Sequence, residues 1–352
     1  MHLPKRTIVG VTLLATALFA SSCGSSTETA SSTTAAPPVA DVASLPAVPS
    51  AGCANATTGA VTEERREVPI PDPDTGANRW FLLTTPPVAG GAEPVPLVLD
   101  FHGLTEGATI HAAHSALSGF AVDNGFAVAF PNGTGTPIRW NALPAEGANL
   151  DGEADLAYVD AVLDQIEATQ CIDTSRVYAT GLSNGAGMTS LLACVRGDRF
   201  AAAAPVAGLR SPTECDAGTT TPVLAFHGTV DPILYYNGGI GDLGALLAGN
   251  GSLSAPEAVL DGEGYPAAAR AWAAHNGCAP EPTKERIGTD VEHWTFDCPA
   301  GNDVEFYAVV GGGHTWPGSE FSKNIAAIAG PTTDTVSANE VMWAFFRQHR
   351  LA

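Results

Sequence analysis

Short β-prone runs alternate with helix-like runs along most of this chain. Leu97–Phe101 and Phe126–Phe130 are apolar runs of strand length. Asp155–Ala168 instead carries its apolar residues at helical spacing. Because consecutive parallel strands need a crossover connection, this alternation predicts an α/β fold with a mostly parallel central sheet and helices on both faces.

The same reasoning predicts the remaining elements. A first hairpin is expected over 67–70 and 80–84, and further strands over 177–180, 202–207, 222–226 and 304–310. Helices are expected over 110–122, 184–195 and 266–275. A closing helix is expected behind the capping box at 337–340. Residues 237–264, rich in Gly and Leu, are interpreted as an insertion over the functional face.

The pentapeptide Gly181–Gly185 lies between a predicted strand and a predicted helix. A G-x-S-x-G pattern in that context is typical of a nucleophile elbow, a sharp turn that exposes the hydroxyl of its serine, here Ser183. A serine hydroxyl is a weak nucleophile near neutral pH unless a base assists it. The elbow therefore predicts a base, an orienting acid and oxyanion donors elsewhere in the chain.

Polar residues follow other predicted strands as well, and in open α/β sheets functional groups gather at the carboxyl ends of strands. Asp231 follows the strand that ends at Phe226, and His314 follows the last strand on a glycine-rich loop. We predict Ser183 as nucleophile, His314 as base and Asp231 as the acid that orients it. This chain order is that of the α/β-hydrolases.

Other histidines and acids are weaker candidates. His102 and His227 each precede a glycine but come before or at the position of the acid, and we interpret them as structural. His111 and His114 have i, i+3 spacing without a third metal ligand nearby, so a solvated helix face is the interpretation. The alternative acids are Asp261, Asp297 and Asp303.

Two backbone N–H groups are expected to form the oxyanion hole. One belongs to Asn184, and the other to Leu104, with Thr105 as the alternative. The candidates for the substrate pocket are Trp316, Trp140 and His102, and packing is the alternative role for both tryptophans.

Five motifs occur in a characteristic order: 102–103, 131–133 with 140–141, 181–186, 227–231 and 312–318. Together they resemble the secreted family of polyhydroxybutyrate depolymerases and feruloyl or acetylxylan esterases, which is similar to carbohydrate esterase family 1 in the α/β-hydrolase superfamily. The resemblance spans nearly all of 53–352. It implies hydrolysis of carboxylic esters through an acyl-serine intermediate, without a metal or organic cofactor. The cysteines that this family often has in the oxyanion loop and after Trp140-Asn141 are replaced here by Leu104 and 142–144.

The first residues have the layout of a secretory signal. Lys5 and Arg6 precede an apolar run that ends before Cys23. We predict a signal peptide over 1–23 with lipidation at Cys23, the alternative being a plain signal peptide. Residues 24–52, rich in Ser, Thr, Ala and Pro, are expected to form a disordered linker. The catalytic domain is then 53–352, held outside the cell on a bacterial membrane by the lipid.

Six cysteines remain, and an even number in an exported chain indicates disulfides. Cys278–Cys298 is the first pairing expected, because these residues flank one excursion before the last strand. Cys194–Cys215 is the second, which leaves Cys53–Cys171. The chain has no C-x-x-C spacing, so a zinc or redox site is not expected.

The formal net charge is −21, and no basic patch exists that could neutralise phosphates. Nucleic acid is therefore excluded as a partner, and the membrane is expected as one only through the lipid. The expected partner is an ester substrate, including polymeric polysaccharides or polyesters. An acyltransferase or peptidase on the same triad is the nearest alternative, and a surface binding protein is a more distant one. The oligomeric state stays open.

Overall fold

The protein is built around one mixed β-sheet. The structure is a computed structural model that describes residues 45–55, 59, 61–87, 93–142, 152–213, 215, 218–242 and 254–351. Its strands are β1 (Thr62–Pro71), β2 (Asn78–Thr85), β3 (Val95–Phe101), β4 (Ala127–Pro131), β5 (Ile172–Leu182), β6 (Ala202–Val206), β7 (Val223–Gly228), β8 (Thr283–Ile287), β9 (Val291–Thr295) and β10 (Val304–Val309).

The strand order across the sheet is β1-β2-β4-β3-β5-β6-β7-β10-β9-β8. Strands β4, β3, β5, β6, β7 and β10 are parallel and form its centre, and an antiparallel hairpin flanks each side. Every residue of β4, β6 and β7 is buried, as expected of parallel strands that are covered on both faces. The α/β prediction is confirmed.

Helices cover both faces of the sheet in the described part of the chain. They are α1 (Gly107–Ser115), α2 (Leu117–Asn124), α3 (Gly152–Thr169), α4 (Asn184–Val195), α5 (Tyr265–His275), α6 (Glu320–Asn324), α7 (Ala326–Ala329) and α8 (Ala338–Phe346). Val98 of β3 packs in the apolar cluster of α2 and α8, whereas Leu97 and Leu99 pack in that of α3 and α4. Because alternate strand residues point to opposite faces, these are two separate layers.

The helix expected over 110–122 is in fact two helices. Ala116 interrupts it with φ 53° and ψ 24°, and its N–H donates to the Ala112 carbonyl at 3.2 Å. A left-handed residue ends a helix because the chain leaves the right-handed path there. Neither Gly nor Asn, the usual residues for this conformation, marks the position in the sequence.

The hairpin of β8 and β9 was not predicted as strands. Every residue of β8 except the partly buried Ile287 is exposed, so the segment shows no alternation of apolar and polar residues. The hairpin forms because β9 pairs with β10 and thereby extends the sheet. The insertion expected over 237–264 is described only at its two ends, where Asn237 binds the carbonyls of Val259 and Glu263 at 2.8 and 2.9 Å.

Residues 45–52, assigned to the linker from the sequence, belong to the folded part. The Ser50 N–H donates to the Ile172 carbonyl at 2.8 Å, and the Val48 N–H donates to Asp173 Oδ1 at 2.9 Å. Arg350 donates to the Pro46 carbonyl at 2.6 Å. These contacts correct the boundary at 52. The signal peptide, Cys23 and the linker up to 44 lie outside the described residues.

The described residues contain three disulfides: Cys53–Cys171, Cys194–Cys215 and Cys278–Cys298. These are the pairings expected from the sequence. Cys53–Cys171 closes a loop of 118 residues and ties the segment before β1 to the start of β5. Among the described residues, no helix is long and apolar enough to span a membrane.

Candidate active site

The turn from β5 into α4 holds Ser183 in a strained conformation. Its backbone has φ 58° and ψ −117°, outside the regions that non-glycine residues ordinarily occupy. The Ser183 N–H donates to the Val206 carbonyl at 2.9 Å, which ties the turn to the neighbouring strand β6. Ser183 is partly exposed, whereas Leu182 and Asn184 on either side are buried. The strand–turn–helix context expected of the elbow is present.

Close packing requires glycine at both ends of this turn. A Cβ added at Gly185 would lie 1.9 Å from the carbonyl oxygen of Phe101, the last residue of β3. A Cβ at Gly181 would lie 2.6 Å from the same oxygen. The elbow therefore packs backbone against backbone on the end of β3.

Asp231 and His314 lie beyond the ends of β7 and β10. His314 Nδ1 donates to Asp231 Oδ2 at 2.7 Å, and both side chains are buried. The His314 N–H donates to the Ala329 carbonyl at 2.6 Å, which anchors the histidine loop. Because β5, β7 and β10 run parallel, Ser183, Asp231 and His314 all stand at the carboxyl edge of one sheet.

Asp231 is held in its charged form. Its Oδ1 accepts the N–H groups of Ile233 and Leu234, each at 2.8 Å. Its Oδ2 faces His314 and, at 3.2 Å, His227 Nε2. Burial alone would raise the pKa of Asp231, but the two histidines lower it far below its usual value. A permanently ionised Asp231 can hold the imidazole of His314 in one tautomer.

The alternative acids lie elsewhere. Asp261 pairs with Arg270 and Lys284 on the surface. Asp303 accepts from His349 Nε2 at 2.7 Å, and Asp297 is exposed.

His227 has a structural environment. Its Nε2 donates to the Leu234 carbonyl at 2.9 Å, and its ring stacks on Tyr265 with a centroid separation of 3.5 Å. From the end of β7, His227 therefore packs against the turn that carries Asp231. This agrees with its interpretation as a structural residue.

The loop after β3 presents the Leu104 amide. The Gly103 N–H donates to Glu106 Oε2 at 2.8 Å, and the Thr105 N–H donates to the Ile138 carbonyl at 2.9 Å. No described residue accepts a hydrogen bond from the N–H of Leu104 or Asn184. Since the Thr105 amide is occupied, the geometry favours Leu104 over Thr105 as the partner of Asn184 in an oxyanion hole.

His102 and Trp140 do not line an open pocket. His102 is fully buried, donates from Nδ1 to the Gly103 carbonyl at 2.8 Å and accepts the Gly133 N–H at Nε2, also at 2.8 Å. Trp140 is 1% exposed, and its ring nitrogen donates to the His102 carbonyl at 3.1 Å. The Asn184 side chain binds both the N–H and the carbonyl of Trp140. Both residues thus position the loops around the elbow, which corrects their assignment as pocket walls.

Trp316 is buried in the same way. It is 1% exposed, and its ring nitrogen donates to Asn339 Oδ1 at 2.8 Å. Its backbone N–H donates to Ser322 Oγ at 2.9 Å. Packing of the histidine loop, the alternative role considered above, is the one that the structure supports.

His111 and His114 are buried, so their interpretation as a solvated helix face is wrong. His111 Nε2 donates to Asp100 Oδ1 at 2.7 Å, and its Nδ1 donates to Glu106 Oε2 at 3.0 Å. His114 Nδ1 donates to Glu106 Oε1 at 2.7 Å, and its Nε2 bonds Ser322 Oγ at 2.9 Å. Sequence reasoning missed Glu106, which directly precedes α1 and lies five and eight residues before His111 and His114.

Glu106, His111 and His114 also have the spacing of metal ligands, with ligand atoms within 4.8 Å of one another. All four ring nitrogens of the two histidines already have hydrogen-bond partners in the protein. The cluster is thus satisfied as a network of hydrogen bonds.

The parallel sheet, the strained serine turn and the order of the three polar strand ends define an α/β-hydrolase. The sequence model described as "Prolyl oligopeptidase family" matches residues 114–234. In the solved structures, the chain resembles an acetyl xylan esterase from Aspergillus awamori with a TM-score of 0.51 and 18% identity, over 77% of this chain and 99% of the other. That likeness concerns the fold.

Sequence similarity to curated relatives identifies the family within the α/β-hydrolases. The chain is 31% identical over 283 residues to "Putative esterase NocK" of Nocardia uniformis subsp. tsuyamanensis, covering 78% of each chain. It is 29% identical to "Feruloyl esterase B" of Piromyces equi over 67% of this chain, and 34% identical to "Poly(3-hydroxyalkanoate) depolymerase C" of Paucimonas lemoignei over 36% of it. The match spans 42% of the feruloyl esterase and 30% of the depolymerase. The chain belongs to this family of α/β-hydrolase esterases, as its motifs indicate.

The close approach at Gly185 leads to a first prediction. Gly185→Ala is expected to lower the free energy of unfolding by about 1–3 kcal/mol, because the new methyl group overlaps the Phe101 carbonyl. Gly119→Ala is the matched control, since a Cβ there meets nothing within 4 Å and α2 gains a better helix former. Urea denaturation of both variants is the measurement. Equal stabilities would contradict this account of the elbow.

The burial of His102 leads to a second prediction. Burial lowers the pKa of His102 from 6.5 to about 4. Between these two pH values the imidazole is therefore protonated in the unfolded chain but neutral in the native protein. The contribution of the neutral His102 ring to the free energy of unfolding is complete above pH 6.5. Roughly 3 kcal/mol of that free energy is lost as the pH falls to 4. His102→Gln, whose amide oxygen can still accept the Gly133 N–H, should flatten that part of the pH–stability curve. Parallel curves for the variant and the wild type, measured by denaturation from pH 4 to 7, would contradict it.

Proposed function

We propose that this protein is a serine esterase that hydrolyses carboxylic esters, with Ser183 as nucleophile, His314 as general base and Asp231 as the orienting acid. The observation that carries the proposal is the 2.7 Å hydrogen bond from His314 to an ionised, buried Asp231 at the edge where the strained elbow presents Ser183. Membership of an esterase family supports the same conclusion.

In the first half-reaction, His314 Nε2 takes the proton of Ser183 as Oγ attacks the ester carbonyl. Asp231 holds Nδ1 of the same ring, so Nε2 is the nitrogen left to act as base. The imidazolium then gives its proton to the leaving alkoxide, and the alcohol departs. The acyl group remains on Ser183.

In the second half-reaction, water replaces the alcohol. His314 removes a proton from the water as it attacks the acyl-serine carbonyl, and returns that proton to Ser183 Oγ as the acid leaves. In both halves a negative charge develops on the former carbonyl oxygen. The N–H groups of Leu104 and Asn184 are proposed to stabilise it, and one such donor is typically worth about 100- to 1000-fold in rate.

The proposed substrates are feruloyl or acetyl esters of polysaccharides and short polyhydroxyalkanoates, in line with the names of the relatives. The aromatic residues at the site are buried, so the acyl group must contact other loops. The described ends of the 237–264 insertion are our candidates, because the adjoining Tyr265 stacks on His227, which contacts Asp231. A panel of methyl ferulate, acetylated xylan and hydroxyalkanoate oligomers is the measurement. Methyl ferulate and acetylated xylan are expected to be hydrolysed faster than the oligomers, and the reverse order would place the chain with the depolymerases.

We also propose that the enzyme acts outside the cell, anchored through Cys23. The three disulfides support an oxidising compartment. The layout of residues 1–23 supports the lipid anchor.

A peptidase is the second candidate, because the prolyl oligopeptidase model matches the segment that contains Ser183 and Asp231. That segment stops before His314. Hydrolysis of a prolyl p-nitroanilide with a kcat/KM equal to that for p-nitrophenyl acetate would favour the peptidase over the esterase.

The triad leads to the central prediction. Ser183→Ala should reduce kcat for p-nitrophenyl acetate roughly a millionfold, and Asp231→Asn roughly 1,000- to 10,000-fold, because the amide stabilises the wrong tautomer of His314. Asp297→Asn is the matched control, since Asp297 is exposed and away from the site, and should retain wild-type kcat. Wild-type turnover by Ser183→Ala would refute the proposed function.

A further inference from the structure

We infer that Glu106 is the positioning residue of the oxyanion hole and that His111, His114 and Ser322 link it to the loop of the catalytic base. The inference rests on the proposed function, because it assigns the geometry of the Leu104 amide to a carboxylate that does not touch substrate.

Glu106 holds the backbone on one side of Leu104. Its Oε2 accepts the Gly103 N–H at 2.8 Å, while the Thr105 N–H on the other side is held by the Ile138 carbonyl at 2.9 Å. Thr105 has φ 75°, a left-handed conformation that costs free energy for a β-branched residue. A strained turn persists only where its surroundings hold it, and here the two flanking amides are held.

The carboxylate is itself held by two buried imidazoles. His111 Nδ1 and His114 Nδ1 lie 3.0 and 2.7 Å from its two oxygens, and the Glu106 side chain is 15% exposed. Burial alone would raise the pKa of Glu106, but the two histidines lower it well below its usual value. Burial would lower the pKa of His111, but Asp100 and Glu106 raise it to about 10. Glu106 is therefore an ionised acceptor held by three donors, the Gly103 N–H and the two imidazoles.

The same cluster reaches the histidine loop. Ser322 Oγ bonds His114 Nε2 at 2.9 Å and accepts the Trp316 N–H at 2.9 Å, two residues beyond His314. Ser319 Oγ donates to the His114 carbonyl at 2.6 Å. One continuous set of buried hydrogen bonds thus runs from the oxyanion loop to the loop that carries the base. Its role is to hold the two loops in register around Ser183.

Glu106→Gln tests the inference. The amide keeps the shape but replaces one acceptor oxygen with an NH₂ group, which cannot accept from a histidine or from Gly103. We expect kcat for p-nitrophenyl acetate to fall about 10- to 100-fold while KM changes less than about twofold, because a displaced oxyanion donor weakens transition-state binding. The inhibition constant of a trifluoromethyl ketone, whose adduct places an oxyanion in the same hole, should rise by a similar factor.

Active sites are counted by labelling Ser183 with a fluorophosphonate, so that kcat refers to folded, competent protein. Glu320→Gln is the matched control, since its side chain is 82% exposed and pairs with Lys323 on the surface, and it should retain wild-type kcat. Glu106→Asp, which keeps the charge on a shorter side chain, should recover part of the lost kcat. Wild-type kcat and inhibition in Glu106→Gln would overturn the inference. The inference would also be overturned if the fall in activity were no larger than the fall in the number of active sites that the fluorophosphonate labels.

Ser322→Ala keeps the test decisive if Glu106→Gln does not fold. Removal of this hydroxyl should lower kcat about 3- to 10-fold at unchanged KM, and an unchanged kcat would overturn the link to the histidine loop. Ser183→Ala separates the two proposals. If it is as active as the wild type, the proposed function fails; if it is inactive while Glu106→Gln is fully active, only this inference fails.

Discussion

The approach of the elbow to the end of β3 is the contact on which the site depends. At Gly185 the two backbones are so close that a Cβ would lie 1.9 Å from the Phe101 carbonyl oxygen. Because β3 and β5 are neighbouring parallel strands, this approach places the loop after Phe101 directly beside Ser183. In the proposed mechanism the Leu104 amide of that loop is one of the two oxyanion donors. The proposed base His314 and acid Asp231 follow β10 and β7 along the same edge.

Two carboxylates organise that edge, Asp231 fully buried and Glu106 only partly exposed, and each is bound by a pair of histidines. Asp231 lies between His314 and His227, and Glu106 lies between His111 and His114. A buried carboxylate is costly unless several donors compensate for the lost water, and both receive backbone N–H bonds as well. In the first pair one histidine is proposed to do chemistry. In the second pair both histidines are inferred to hold the loop that carries Leu104. The same arrangement is thus used for chemistry in one place and for positioning in the other.

The predictable features are those that depend on local pattern. The central strands and the helix after Ser183 follow from apolar runs of the right length. The break at Ala116 had no such signal, because alanine carries no preference for the left-handed conformation that it adopts. The β8 strand was missed because its side chains face solvent, and only its pairing with β9 makes it a strand. The walls of the pocket could not be assigned from the sequence, because a tryptophan close to His314 looks the same in sequence whether its ring faces substrate or the core.

The sequence by itself determined the fold class, the elbow, the chain order of Ser183, Asp231 and His314, and the family, because each depends on residues close together or on their order. Only the tertiary structure decided what surrounds them. His114 meets Ser322 across 208 residues of chain, and Trp140 meets Asn184 across 44. Hydrogen bonds of that reach depend on how the strands pair and how the loops close, and neither is encoded in the spacing of the residues that make them.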